Sequence, residues 1–178
     1  MQIITDRDKL KRLEERFQHI LKSHSDEKTE TNISHRGEVF RHDVYYSSKL
    51  NIWFAFEEES NRYWNAFGIG RPGKRARIIV EINIPFAGRN RRIGGVFVED
   101  DKGIWLGHRG KIGGGARGVG YKAFWKYYKG DVVHVPENEE LVPLARIGYI
   151  ESLDFPERIK QFVLEVNSIK ERSKSTNP

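Results

Sequence analysis

One stretch constrains this chain more than any other. From Gly103 to Gly130 it reads GIWLGHRGKIGGGARGVGYKAFWKYYKG. Ile104, Trp105 and Leu106 form a short apolar strand, followed by the basic step His108-Arg109-Gly110-Lys111 and a glycine run that includes Gly113, Gly114, Gly115, Gly118 and Gly120. An aromatic helix is predicted over Tyr121 to Tyr128. Without a Cβ, glycine allows positive φ and close approach of the backbone to a ligand. Successive N–H groups in such a loop, opening into a helix, make a concavity suited to anions. With His108, Arg109, Lys111 and Arg117 beside it, the stretch points to a phosphate-bearing ligand.

The charge distribution agrees. The chain has 178 residues and a formal net charge of +6, with a sequence pI of about 9.5. From Arg71 to Lys129, fourteen Lys/Arg stand against four Asp/Glu, a net of +10, and the remainder sums to −4. Concentration of this kind marks a polyanion-binding face. Hydrophobic residues make up 38% and aromatics 12%, enough for a core. There is no cysteine, which excludes disulfides, a thiolate nucleophile and Cys-ligated zinc. No apolar run is long enough to span a membrane, and the charged start is not a signal peptide, so a cytoplasmic protein is expected.

Along the chain, residues 5–23 carry Leu10, Leu13, Phe17, Ile20 and Leu21 at helical spacing, with Thr5 or Asp6 as cap. Residues 24–34 are polar and aperiodic and read as a mobile linker. Strands are predicted over 38–46, 50–56, 76–85, 93–99, 131–135 and 141–150, and residues 61–68 read as a strand or a turn. Residues 70–74 are a turn, 88–92 a basic loop and 136–140 an acidic loop. A closing helix is capped by Asp154, with Pro156 in its first turn, where a missing N–H costs nothing. Its stripe is Ile159, Phe162, Val163, Val166 and Ile169, with residues 171–178 frayed. The expectation is one α+β domain over 1–178. It has a curved, mainly antiparallel sheet, an N-terminal and a C-terminal amphipathic helix, and a short helix after the glycine-rich loop.

Gly113, Gly115 and Gly118 match G-x-G-x-x-G by letter, but the short aromatic helix does not suit the dinucleotide crossover. The P-loop ending is absent, because Tyr121-Lys122 follows Gly120. Arg109 can fork to phosphate or to a guanine edge, and Lys111 supplies a point charge. Lys122, Arg89, Arg91 and Arg92 extend the basic face along the phosphate backbone. Tyr63 and Trp64 are candidates to stack on a base, and Asn65 to read its edge.

Catalytic candidates are His108, as an acid or base, and Glu81 with Asp43 as carboxylates of a magnesium-dependent nuclease centre. The E-x-K pairing that would sharpen the latter is missing, since Ile82-Asn83 follows Glu81. No metal site can be named from the six scattered histidines, and no cofactor is expected unless a nuclease takes magnesium.

The segments RYWNAFG, EINIP, HRGKIGGG and RGVGYKAF, between Tyr63 and Gly130, resemble poorly characterised domains found beside restriction nucleases. The resemblance implies reading of modified or sequence-specific DNA in host defence, with roles for Arg109, Lys111 and the glycine loop. The nuclease half of such proteins is not seen in this sequence. The expected function is therefore nucleic-acid binding, DNA first, with a homodimer or a partner nuclease as possible company. The alternatives are a small nuclease or base-excising enzyme at the same surface, and a nucleotide or dinucleotide binder.

Overall fold

Leu10, Phe17 and Leu21 recur at helical spacing because they seat a helix on a sheet. The computed structural model describes residues 1–35, 38–59, 62–73, 75–77, 80–83, 94–112 and 118–176. After a two-residue strand β1 (Gln2–Ile3), helix α1 spans Arg7–Ser23. Asp6 caps it by accepting from the Lys9 N–H at 2.8 Å, which satisfies one of the amides a helix start leaves unpaired.

Strands β2 (Glu27–His35), β3 (Glu38–Ser47), β4 (Ile52–Glu59) and β5 (Arg62–Ile69) follow as antiparallel neighbours. The short β6 (Arg75–Arg77) pairs in parallel with β2, and β7 (Val80–Asn83) pairs antiparallel with β5. Next come β8 (Gly95–Asp100), β9 (Gly103–His108), helix α2 (Tyr121–Tyr127), β10 (Val132–Glu137), β11 (Glu140–Tyr149) and helix α3 (Phe155–Thr176). Among the described residues the sheet order is β10-β11-β9-β8-β7-β5-β4-β3-β2-β6, with β1 paired to β8. Among the described residues only β2·β6 and β7·β8 are parallel. The fold is α+β and mainly antiparallel, with the helices where periodicity puts them.

Two expectations about the chain are corrected. Residues 24–34, read as a linker, hold most of β2. Its solvent face is stitched to β3 by diagonal ion pairs, Lys28 with Asp43 at 3.2 Å and Glu30 with Arg41 at 2.7 Å, while Ile33 is fully buried on the other face. Cross-strand pairs of this kind stabilise a strand that carries little apolar surface. The helix expected to fray from residue 171 continues to Thr176. The strand expected over 76–85 is represented by β6 and β7, with residues 78–79 and 84–85 outside the described set.

The main core lies where α1 and α3 cover the sheet. Phe17 is its hub, fully buried and in edge-on contact with Phe56, Phe67, Phe97 and Phe155 at centroid distances of 6.0, 6.2, 6.0 and 5.8 Å. That geometry sets positive ring edges on negative ring faces and adds to the burial of area. One α1 residue on this face is not apolar. Glu14 lies four residues after Leu10 and three before Phe17, and is completely buried. A smaller core of Val98, Trp105, Val135 and Leu144 is enclosed by β8–β11, with Ile3 of β1 packed against it.

Candidate nucleic-acid interface

Strand β9 delivers the basic step, and the structure divides it by burial. His108 is 1% exposed. Its ring packs on Phe124 of α2 at 5.5–6.0 Å from that ring and from Phe162 of α3. Its Nδ1 accepts the Gly110 N–H at 3.0 Å, which places the ring proton on Nε2. Desolvation drives its pKa down to about 3, so the imidazole is neutral. Gly110 closes this turn at φ 97°, and a Cβ there would lie 2.7 Å from the Trp125 ring, so only glycine fits.

Arg109 turns to the other side, where its two terminal nitrogens reach the Glu137 carboxylate at 2.6 Å each. The side chains are 13% and 21% exposed. A bidentate fork of this kind is among the stronger charge-assisted contacts. It also uses the donors that sequence reasoning offered to phosphate. Lys111, next along, is half-buried.

After Lys111 the chain is pinched. Ile112 and Val119 form an antiparallel bridge, with N–H···O distances of 3.1 and 2.8 Å, and both side chains are buried. Gly113, Gly114, Gly115 and Arg117 lie between them and outside the described residues, as do Arg89, Arg91 and Arg92. Beyond the bridge, α2 turns Phe124 inward, stacked on Tyr128 at 4.9 Å and edge-on to Trp125 at 4.8 Å. Burial holds the Tyr128 hydroxyl well above its ordinary pKa. The Glu165 carboxylate of α3 accepts the Lys129 and Gly130 N–H groups at 2.5 and 3.1 Å and ties down the end of the segment.

With its aromatic side anchored, α2 presents Lys122 and Lys126 to solvent, and Lys129 follows, also exposed. Lys122 and Lys126 stand four residues apart within α2, so they share a face about 6 Å apart along the axis. No ion pair with a described residue involves Lys111, Lys122, Lys126 or Lys129. Elsewhere the cations are often matched, as in Lys9–Glu99, Arg16–Glu151, Arg71–Glu27 and Arg146–Asp131. Sequence reasoning named Lys122 but passed over Lys126 and Lys129. The i, i+4 spacing from Lys122 marks Lys126, whereas Lys129 lies past the end of α2.

The other candidates are dispersed. Tyr63 and Asn65 are 4% and 0% exposed on the face of β5 that meets the core, so neither lines an open pocket in this structure. The Trp64 and Glu81 side chains lie outside the described set; their backbones pair across β5 and β7. Asp43 is on β3, paired with Lys28, whereas His108 is enclosed by α2 and α3 at the end of β9. Among the described residues no three His, Asp or Glu side chains gather where a metal ion could be held, and no helix is long and apolar enough to cross a membrane.

No protein-family model matches the sequence, and neither a curated protein nor a solved structure is found to be similar to it.

Proposed function

We propose that this chain binds nucleic acid, DNA in the first place, through the exposed lysines of α2 and the basic segments that flank it. The observation that carries the reading is the row Lys122, Lys126 and Lys129. These cations are held in solvent beside an aromatic anchor, form no side-chain ion pair with a described acid, and lie in a region of net charge +10. Neutralising phosphates with such lysines releases condensed counterions, so affinity comes without sequence information and falls steeply with salt. Arg109 belongs to the support, because its fork is held by Glu137. Its removal would act on the fold before it acted on the ligand. The setting we assign, on the resemblance between Tyr63 and Gly130, is a DNA-reading module that works beside a restriction nuclease.

The test is a binding series with labelled duplex DNA, single-stranded DNA and RNA at two salt concentrations, on the wild-type chain and on Lys122→Gln/Lys126→Gln/Lys129→Gln. The expected result is a salt-sensitive complex with duplex DNA, weakened across all sequences in the variant. The log–log salt slope should be shallower by about one for each lysine removed. Unchanged affinity and slope in the variant would sink the assignment. Shortened DNA in the same lanes would instead favour a nuclease at this surface.

A further inference from the structure

The position of Glu14 is the least expected feature of the core. It stands on the stripe that seats α1 and has no exposed surface. Its Oε1 has only a long contact from Gln18 Nε2, at 3.5 Å, and its Oε2 has no hydrogen-bond partner among the described residues. Asn65 of β5, also fully buried, leaves both Oδ1 and Nδ2 unpartnered within the same set.

Among the described residues no cation forms an ion pair with the carboxyl. The groups that face this region are Glu58 of β4, which lies opposite Tyr63 in the strand register, Tyr63 itself, and Glu15 on α1, with Arg7 of α1 acting on Tyr63. Of the α1 cations, Lys9 is paired with Glu99 of β8 and Arg16 with Glu151. An isolated carboxylate in an apolar interior is costly enough that the group keeps its proton instead.

We infer that α1 docks on the sheet through a protonated Glu14, so that its seat over the Phe17 core is a proton-controlled latch. Desolvation, with a smaller push from Glu58 and against the dipolar pull of the nearby Gln18 and Asn65 amides, raises the Glu14 pKa from 4.5 to about 8. The sign follows from linkage. Between those two values the docked state keeps a proton that the undocked state has released. Rising pH therefore favours undocking by up to tenfold in the equilibrium constant per pH unit, and the loss levels off once the docked carboxyl itself ionises. The contribution is complete below about pH 4.5 and gone above about 8.

The experiment follows the Glu14 side-chain carboxyl by carbon NMR from about pH 4 to 9, the range that spans both ionisations. Over the same range, amide-exchange protection factors are measured for α1 and α3 in the wild-type chain and in Glu14→Gln. The expected result is a Glu14 midpoint near the upper value and protection of α1 that falls with pH, with α3 following only in those amides that exchange through global unfolding. Glu14→Gln, which keeps the shape and cannot ionise, should be flat. A midpoint near the ordinary carboxylate value would overturn the inference, as would pH-independent protection of α1 in the wild type. The carboxyl titration needs no variant, so the test survives poor folding of Glu14→Gln.

Discussion

Two of the places where polar side chains are withdrawn from solvent, the end of β9 and the region beneath α1, treat their hydrogen bonds in opposite ways. At the β9 corner His108 Nδ1 is satisfied by Gly110, and both ends of the Arg109 fork by Glu137. Beneath α1, one oxygen of Glu14 and both amide atoms of Asn65 find no partner among the described residues. A satisfied buried group fixes one conformation, whereas an unsatisfied one is a standing cost that a change of state can relieve. The richest cluster of chemically capable residues is thus scaffold for α2, and the conditional element lies in α1, a helix that looks ordinary by composition.

The largest effect is expected at the hub of the main core. Phe17→Ala removes a fully buried ring in contact with β4, β5, β8 and α3, and should cost about 3–5 kcal/mol in denaturant unfolding. Next is Arg109→Met. Breaking a fully buried pair costs about 3–5 kcal/mol, and the partial exposure of this one reduces the expected loss to about 2 kcal/mol. A loss much below that would mean the corner is less rigid than its geometry implies.

The two buried titratable groups should bend the pH–stability curve in opposite senses. His108 has a folded pKa depressed from 6.5 to about 3. Its contribution is present above the unfolded value and is lost as pH falls between the two, while that of Glu14 is lost as pH rises from 4.5 to about 8. Each slope is at most about 1.4 kcal/mol per pH unit, and where the windows overlap they oppose each other. His108→Gln should flatten the acid limb and Glu14→Gln the neutral limb; thermal melts over that range would show either slope surviving. The smallest effect on stability is expected for Lys122→Gln/Lys126→Gln, within about 0.5 kcal/mol, because these side chains lie in solvent.

What could be read from the sequence follows from where the physical signal resides. Helical periodicity places α1 and α3 within a few residues, and Ile159, Phe162, Val163, Val166 and Ile169 are buried as the stripe demands. Strand β2 escapes, because EKTETNISH carries one deep apolar anchor, Ile33, and owes its pairing to charges whose partners lie on β3. Glu14 escapes for a related reason. Reading the stripe as Leu10, Leu13, Phe17, Ile20 and Leu21 passes over a charged residue at a core position, although its spacing from Leu10 and Phe17 was plain. The basic step was legible as chemistry but not as geometry, since only the fold shows Glu137 reaching Arg109 and the aromatic side of α2 closing over His108.

The most direct test of the account sets the scaffold against the proposed contact surface in one titration. Anisotropy of labelled duplex DNA is measured from about 50 to 200 mM salt, a range over which phosphate contacts dominate the change in affinity. Wild type, Arg109→Met and Lys122→Gln/Lys126→Gln/Lys129→Gln are compared below their melting temperatures. The account predicts a slope shallower by about three in the lysine variant and unchanged in Arg109→Met. A wild-type slope retained by the lysine variant and lost in Arg109→Met would contradict it, and would return the phosphate to the Arg109 fork.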